Sequence, residues 1–134
     1  MASGAALAQD RPIPVFQAFG LVGDFAGDCS RPPVRGNQHS FYRVAAGEMT
    51  LTYDHGPGVV PTRYTILSAR QLDPDRISYV QQNRDDQRML EIEVVKTQGG
   101  VRVWYSRRTS GEVLVRNGNF NDGTPSPLQV RCGD

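Results

Sequence analysis

His39 and His55 are the only imidazoles in the chain, so any histidine chemistry rests on them. A nucleophilic triad needs Ser or Cys, a His base and an orienting carboxylate. His55 stands beside Asp54 and before Gly56-Pro57-Gly58, in a loop. His39 stands beside Ser40 at the start of a predicted strand. Neither is framed by a signature such as Gly-x-Ser-x-Gly. A loop or strand-end His is ordinarily solvated, so the reading is that the protein is not an enzyme. The carboxylate pairs Asp73/Asp75 and Asp85/Asp86 fall at turns, where Asp caps local amides. The spaced ligand set of a calcium loop is absent. Two distant Cys and two distant His, with no CxxC spacing, make no metal site, and no cofactor is expected.

The phenols offer a different chemistry. Tyr53, Tyr64, Tyr79 and Tyr105 are placed on the inward parity of alternating apolar runs. A buried phenol needs a partner for its hydroxyl. Several phenols in one lumen would suit an amphipathic ligand or ordered water. The alternative is a packed core with each ring near the rim. Trp104 falls on the opposite parity beside Arg102. It is either an exposed contact point for a partner or covered by the segment around Phe16 and Phe19. The loop 54–61 is the longest connection between strands and carries His55, Val59 and Val60. It can be presented to another protein's cleft, or it can fold over one barrel mouth as a lid.

Charge narrows the partners. The 134 residues hold 15 Lys+Arg against 14 Asp+Glu, a formal net of +1. Strong global attraction to nucleic acid or anionic membrane is not supported. Arg102, Arg107 and Arg108 flank Trp104 and Tyr105, a pattern that can track phosphates and stack bases. Glu91 and Glu93 are predicted on the adjacent strand, close enough to pair with them. A solvated sheet face is the reading, with no nucleic-acid partner. No run of 18 apolar residues exists, so no helical membrane span is expected.

These side chains need a scaffold, and period-2 runs supply it. Met49/Leu51/Tyr53, Tyr64/Ile66, Ile77/Tyr79, Leu90/Ile92/Val94, Val101/Val103/Tyr105 and Val113/Val115 each alternate with mostly polar neighbours. Phe41–Ala46 and Leu128–Cys132 add a first and a last strand. Gly99-Gly100 and Ser110-Gly111 fit tight hairpins, and such short links join antiparallel neighbours. No inter-strand segment is long enough for a crossover helix. The expected fold is all-β: an antiparallel meander of about eight strands, closed into a barrel that hides its edges. An open sandwich is the alternative. Residues 9–15, with Pro12 and Pro14, read as an extended lead-in. A short helical turn is placed around Phe16–Leu21, and residues 30–38 read as a loop. Residues 9–38 thus lead into a barrel of residues 39–134, all in one domain.

The ends bear on compartment. Ala6-Leu7-Ala8 is a small-x-small cleavage signature, so residues 1–8 read as a signal-peptide remnant or a disordered tail. Cys29 and Cys132 form an even pair near the two ends, which suggests one disulfide in an exported protein. Two buried free thiols are the alternative. A periplasmic or secreted location is expected.

Gly23-Asp24-Phe25, after a short turn and before a strand meander, resembles the Gly-x-Trp opening of calycins and lipocalins, with Phe in place of Trp. The resemblance implies a calycin-like barrel and a basic residue near its end packed on that ring, either Arg116 or Arg131. Phe25-Ala26-Gly27-Asp28-Cys29-Ser30-Arg31-Pro32, with a Cys close to the C-terminus, also resembles small exported bacterial proteins of unassigned function. The expected function is binding of a small, partly apolar ligand in the lumen. The alternative is a protein-interaction or hydrolase-inhibitor module acting through loop 54–61 or the Arg102/Trp104 face. An open lumen lined by the tyrosines would favour the first. A filled lumen with a protruding loop would favour the second.

Overall fold

The structure, a computed structural model, describes residues 11–133. The Ala6-Leu7-Ala8 signature lies outside them. Helix α1 (Pro12–Phe19) comes first. Pro12 and Pro14 stand in its first turn, where a missing N–H has no intrahelical acceptor to lose. The residues that pointed to an extended lead-in therefore open a helix. Its buried face is Val15, Phe16 and Phe19, and Leu21 follows them into the core.

Ten strands follow: β1 (Gly23–Ala26), β2 (His39–Ala45), β3 (Glu48–Asp54), β4 (Thr62–Asp73), β5 (Arg76–Asn83), β6 (Met89–Thr97), β7 (Gly100–Arg108), β8 (Val113–Arg116), β9 (Asn119–Phe120) and β10 (Val130–Arg131). They form one sheet in the order β10-β1-β2-β3-β4-β5-β6-β7-β8-β9. Every neighbouring pair is antiparallel. The all-β antiparallel expectation holds, but two of its details need correction. The strands number ten among the described residues, because β1 and β9 lie in glycine- and asparagine-rich stretches with no alternation to reveal them. The sheet curls into a half-barrel, and its ladder does not close. The last strand is only two residues long, too short to pair fully on both sides. Among the described residues one backbone bridge joins β7 to the C-terminal segment, in which Val101 and Gln129 exchange hydrogen bonds of 2.9 and 2.8 Å.

The seam is fastened covalently. Cys29 and Cys132 are disulfide-bonded, across a sequence separation of 103. This ties the loop after β1 to the residue after β10, as the cysteine placement suggested. Arg131 secures the same corner. Its guanidinium lies 4.9 Å over the Phe25 ring and donates to the Val22 carbonyl at 2.7 Å and to the Gly20 carbonyl. Arg131, not Arg116, is thus the cation stacked on this aromatic. Gly23 makes the approach possible. It holds φ +123, and a Cβ there would stand 2.7 Å from Arg131 Nη1, so a side chain would expel the guanidinium.

Two bulges reset which residues face inward. Between β4 and β5 the register shifts at Ile66/Ser68, where Leu67 is the extra residue, so that Ala69 in place of Ser68 enters the core. Between β6 and β7 Trp104 is the extra residue, since Val103 pairs with Val94 but Tyr105 pairs with Glu93. A single inserted residue inverts the period-2 parity beyond it. Tyr105 therefore leaves the inner set and Ser106 enters it, opposite Ile92.

Candidate functional site

The interior brings four of the five tyrosines together, and one of them was not foreseen. Tyr42 on β2, Tyr53 on β3, Tyr64 on β4 and Tyr79 on β5 face each other across the curl of the sheet. Tyr53 and Tyr64 meet edge to face at 5.6 Å. The Tyr42 and Tyr79 phenols interact with each other. Phe16 of α1 packs on both, with ring centroids 5.0 Å from Tyr79 and 6.0 Å from Tyr42. Burial pushes the Tyr42 phenol up to about 12 and holds Tyr53 and Tyr79 well above the ordinary range. All three are neutral donors at physiological pH. Tyr42 was legible in principle, because it shares parity with Ser40 and the buried face of β2.

This interior is filled. The space left among Ser40, Tyr42, Tyr53, Val101, Val103 and Gln129 is about 70 Å³. That is room for a few waters, since one water needs roughly 10–15 Å³ on the same measure. Small-molecule sites run to about 300–1,000 Å³. A space of this size has no room for a lipid-like ligand among these side chains.

A wide concavity lies at the mouth above it. Three stretches, 34–38, 55–62 and 120–129, enclose a bowl of about 620 Å³ whose wall includes His55, Val59, Val60, Val34, Phe120 and Pro127. Its floor shares Gln38, Pro127 and Gln129 with the small inner cavity. Val59 and Val60 remain 53% and 80% exposed, so the tip of loop 54–61 neither caps the mouth nor hides its valines. The base of that loop is fixed. Gly56 holds φ +102, and a Cβ there would stand 2.6 Å from the Pro33 carbonyl oxygen. Loop 54–61 thus leans on the 32–38 turn, and neither the lid nor the free protruding loop describes it fully.

Asn37 sets the other wall. Its side chain is 5% exposed as a residue and makes four bonds. Nδ2 donates to the carbonyls of Asp28, Arg31 and Pro32, and Oδ1 accepts from the Asp28 N–H. Asn37 and Val34 also bridge through their backbones, which makes Arg35-Gly36 a tight two-residue tip. Reading 30–38 only as a loop missed this clamp, and the Gly36-Asn37 turn pair was the one signal for it. The Asn37→Ala variant strands several polar groups, so its stability should fall by about 2–3 kcal/mol. Urea unfolding checks this.

The histidines are used locally. His39 Nε2 meets the Arg31 carbonyl oxygen at 3.0 Å, and His55 Nε2 meets Thr62 Oγ1 at 2.8 Å. No cluster of three or more His, Cys, Asp or Glu fit to hold a metal occurs among the described residues.

On the outer face Arg107 donates to both Glu91 oxygens at 2.9 and 2.8 Å, and Arg76 to Glu93 at 2.5 Å. Of the expected cross-strand pairs Arg107–Glu91 is present, whereas Glu93 takes Arg76 of β5 and Arg108 takes Glu112. Arg76 and Arg102 lie 5.9 Å from the Trp104 ring centroid. Trp104 faces outward, and it is Gly118, not the Phe16/Phe19 segment, that covers it. A Cβ at 118 would stand 2.8 Å from the ring. Arg102 donates to the Gly118 carbonyl at 2.6 Å and to Ser126 Oγ at 3.3 Å. The Arg102/Trp104 pair is therefore a fastening for the 118–126 segment, and it does not join His55, Val59 and Val60 in one surface site.

Comparison of the chain with protein-family models, with curated proteins and with solved structures finds no match to any of them.

Proposed function

We propose that this protein is an exported, non-enzymatic binding module that takes a small, partly apolar ligand at the mouth of its curled sheet. The observation that carries this reading is the 620 Å³ bowl, which combines Val34, Val59, Val60 and Phe120 with the polar groups of Gln38, Thr62 and Gln129. An apolar concavity with a few convergent polar groups is the general form of a small-molecule site. Export is supported by the disulfide, which persists in oxidising compartments. No helix among the described residues is long and apolar enough to cross a membrane. Distant kinship with calycins is part of the same proposal. It is supported by the Gly23-x-Phe25 opening with Arg131 stacked on its ring.

A second reading, a module that docks another protein through loop 54–61, is favoured by one observation. Val60 is 80% exposed, and exposed apolar groups on a rim mark contact sites. Native mass spectrometry with added medium-chain amphiphiles separates the two. The wild type should bind one equivalent. The Val59→Asp/Val60→Asp variant should fold normally and bind about tenfold more weakly, from lost apolar burial. If no amphiphile binds and a protein partner is lost in that same variant, the second reading replaces the first.

A further inference from the structure

We propose that the bowl selects single-chain ligands with an anionic head, held by Arg35, over neutral or cationic ones of equal length. The inference rests on the ligand reading above. Arg35 is the one fixed charge among the described residues lining the bowl, and no Asp or Glu accompanies it there. It is exposed, and no ion-pair partner for it is found among the described residues. The carboxylates on the surrounding loops are committed elsewhere. Asp28 accepts from Ser30, Asp54 from the Gly56 N–H, and Asp122 from Thr124.

Arg35 is also placed on a rigid support. It occupies the tip between Val34 and Asn37, and the four Asn37 side-chain bonds hold that turn to the 28–32 backbone. A guanidinium kept in place this way loses less freedom on pairing, and its fork matches a carboxylate. Apolar Val34, beside it in the chain, and Val59, Val60 and Phe120 across the bowl would take the tail. An amphiphile with its head on Arg35 and its chain in the bowl satisfies both halves of the lining.

The test compares decanoate, decanol and decyltrimethylammonium by isothermal titration calorimetry on the wild type, Arg35→Gln and Arg35→Lys. An exposed ion pair is worth up to about 1 kcal/mol, so decanoate should bind about fivefold more tightly than decanol. Decyltrimethylammonium should bind more weakly than either. The decanoate advantage should vanish in Arg35→Gln, return in part in Arg35→Lys and shrink as salt is raised. Arg35→Gln should leave the urea midpoint unchanged. Equal binding of all three probes to the wild type would overturn charge selection and leave the ligand reading standing. Binding of none would overturn both. Arg35-dependent sedimentation with phosphatidylglycerol vesicles, without decanoate binding, would overturn the single-chain ligand in favour of a membrane surface.

Discussion

Replacing Cys29 and Cys132 together with Ser is expected to produce the largest loss of stability of any change at the seam. The bridge spans a sequence separation of 103. Constraining so long a loop in the unfolded chain is worth about 4–5 kcal/mol in the chain-entropy picture. A domain of this size has only about 5–15 kcal/mol in total. The noncovalent part of the seam is small: two residue pairs between β1 and β10, one Val101–Gln129 bridge, the Arg131 contacts and the bonds Cys132 N–H to Asp24 O, Ser40 Oγ to Gln129 Oε1 and Ser126 Oγ to Val103 O. Urea unfolding of the double variant, and of the wild type in reductant, should show a matching fall in midpoint. A fall in unfolding free energy of less than about 1 kcal/mol would mean that the short ladder and Arg131 hold the seam alone.

Phe16→Ala should be nearly as costly. The Phe16 ring is fully buried and is the part of α1 that fills the interior, against Tyr42 and Tyr79. Truncating a buried Phe costs about 3–5 kcal/mol, from lost burial and from the cavity that remains. Phe16→Leu keeps most of the volume and should cost much less. Thermal and urea unfolding of both variants check the pair. If Phe16→Ala were as stable as Phe16→Leu, the helix would be an ornament of the sheet and not part of its core.

Much of the sheet was readable along the chain. Leu51, Ile66, Ile77, Tyr79, Ile92 and Val94 were assigned inward from alternation alone, and each is buried. Alternation is a local signal and survives wherever a strand is long and has one face covered. It fails where a strand is two residues long, as in β9, or rich in glycine, as in β1. It also fails past a bulge. Tyr105 was placed in the lumen because nothing local announces that Trp104 is an extra residue, and the two-against-one pairing exists only against β6. The site divides in the same way. His55, Val59 and Val60 were singled out because a long loop between prolines stands out in any chain. Arg35, Asn37 and Phe120 were not, because they come from two other segments and meet that loop only in space.

Composition, turn residues and period-2 runs, read without coordinates, were enough for an antiparallel β domain. Its two cysteines suggested a link between its ends. These properties depend on neighbours in the chain, so the chain displays them. Whether the sheet closes, whether its interior is empty and which loops enclose a site were decided only in the tertiary structure. Closure depends on the pairing of two-residue ends. Emptiness depends on how Phe16 and four tyrosines share one volume. The bowl depends on three loops brought together from residues 34 to 129. Each of these is a property of packing between segments far apart in sequence, and no local pattern carries it.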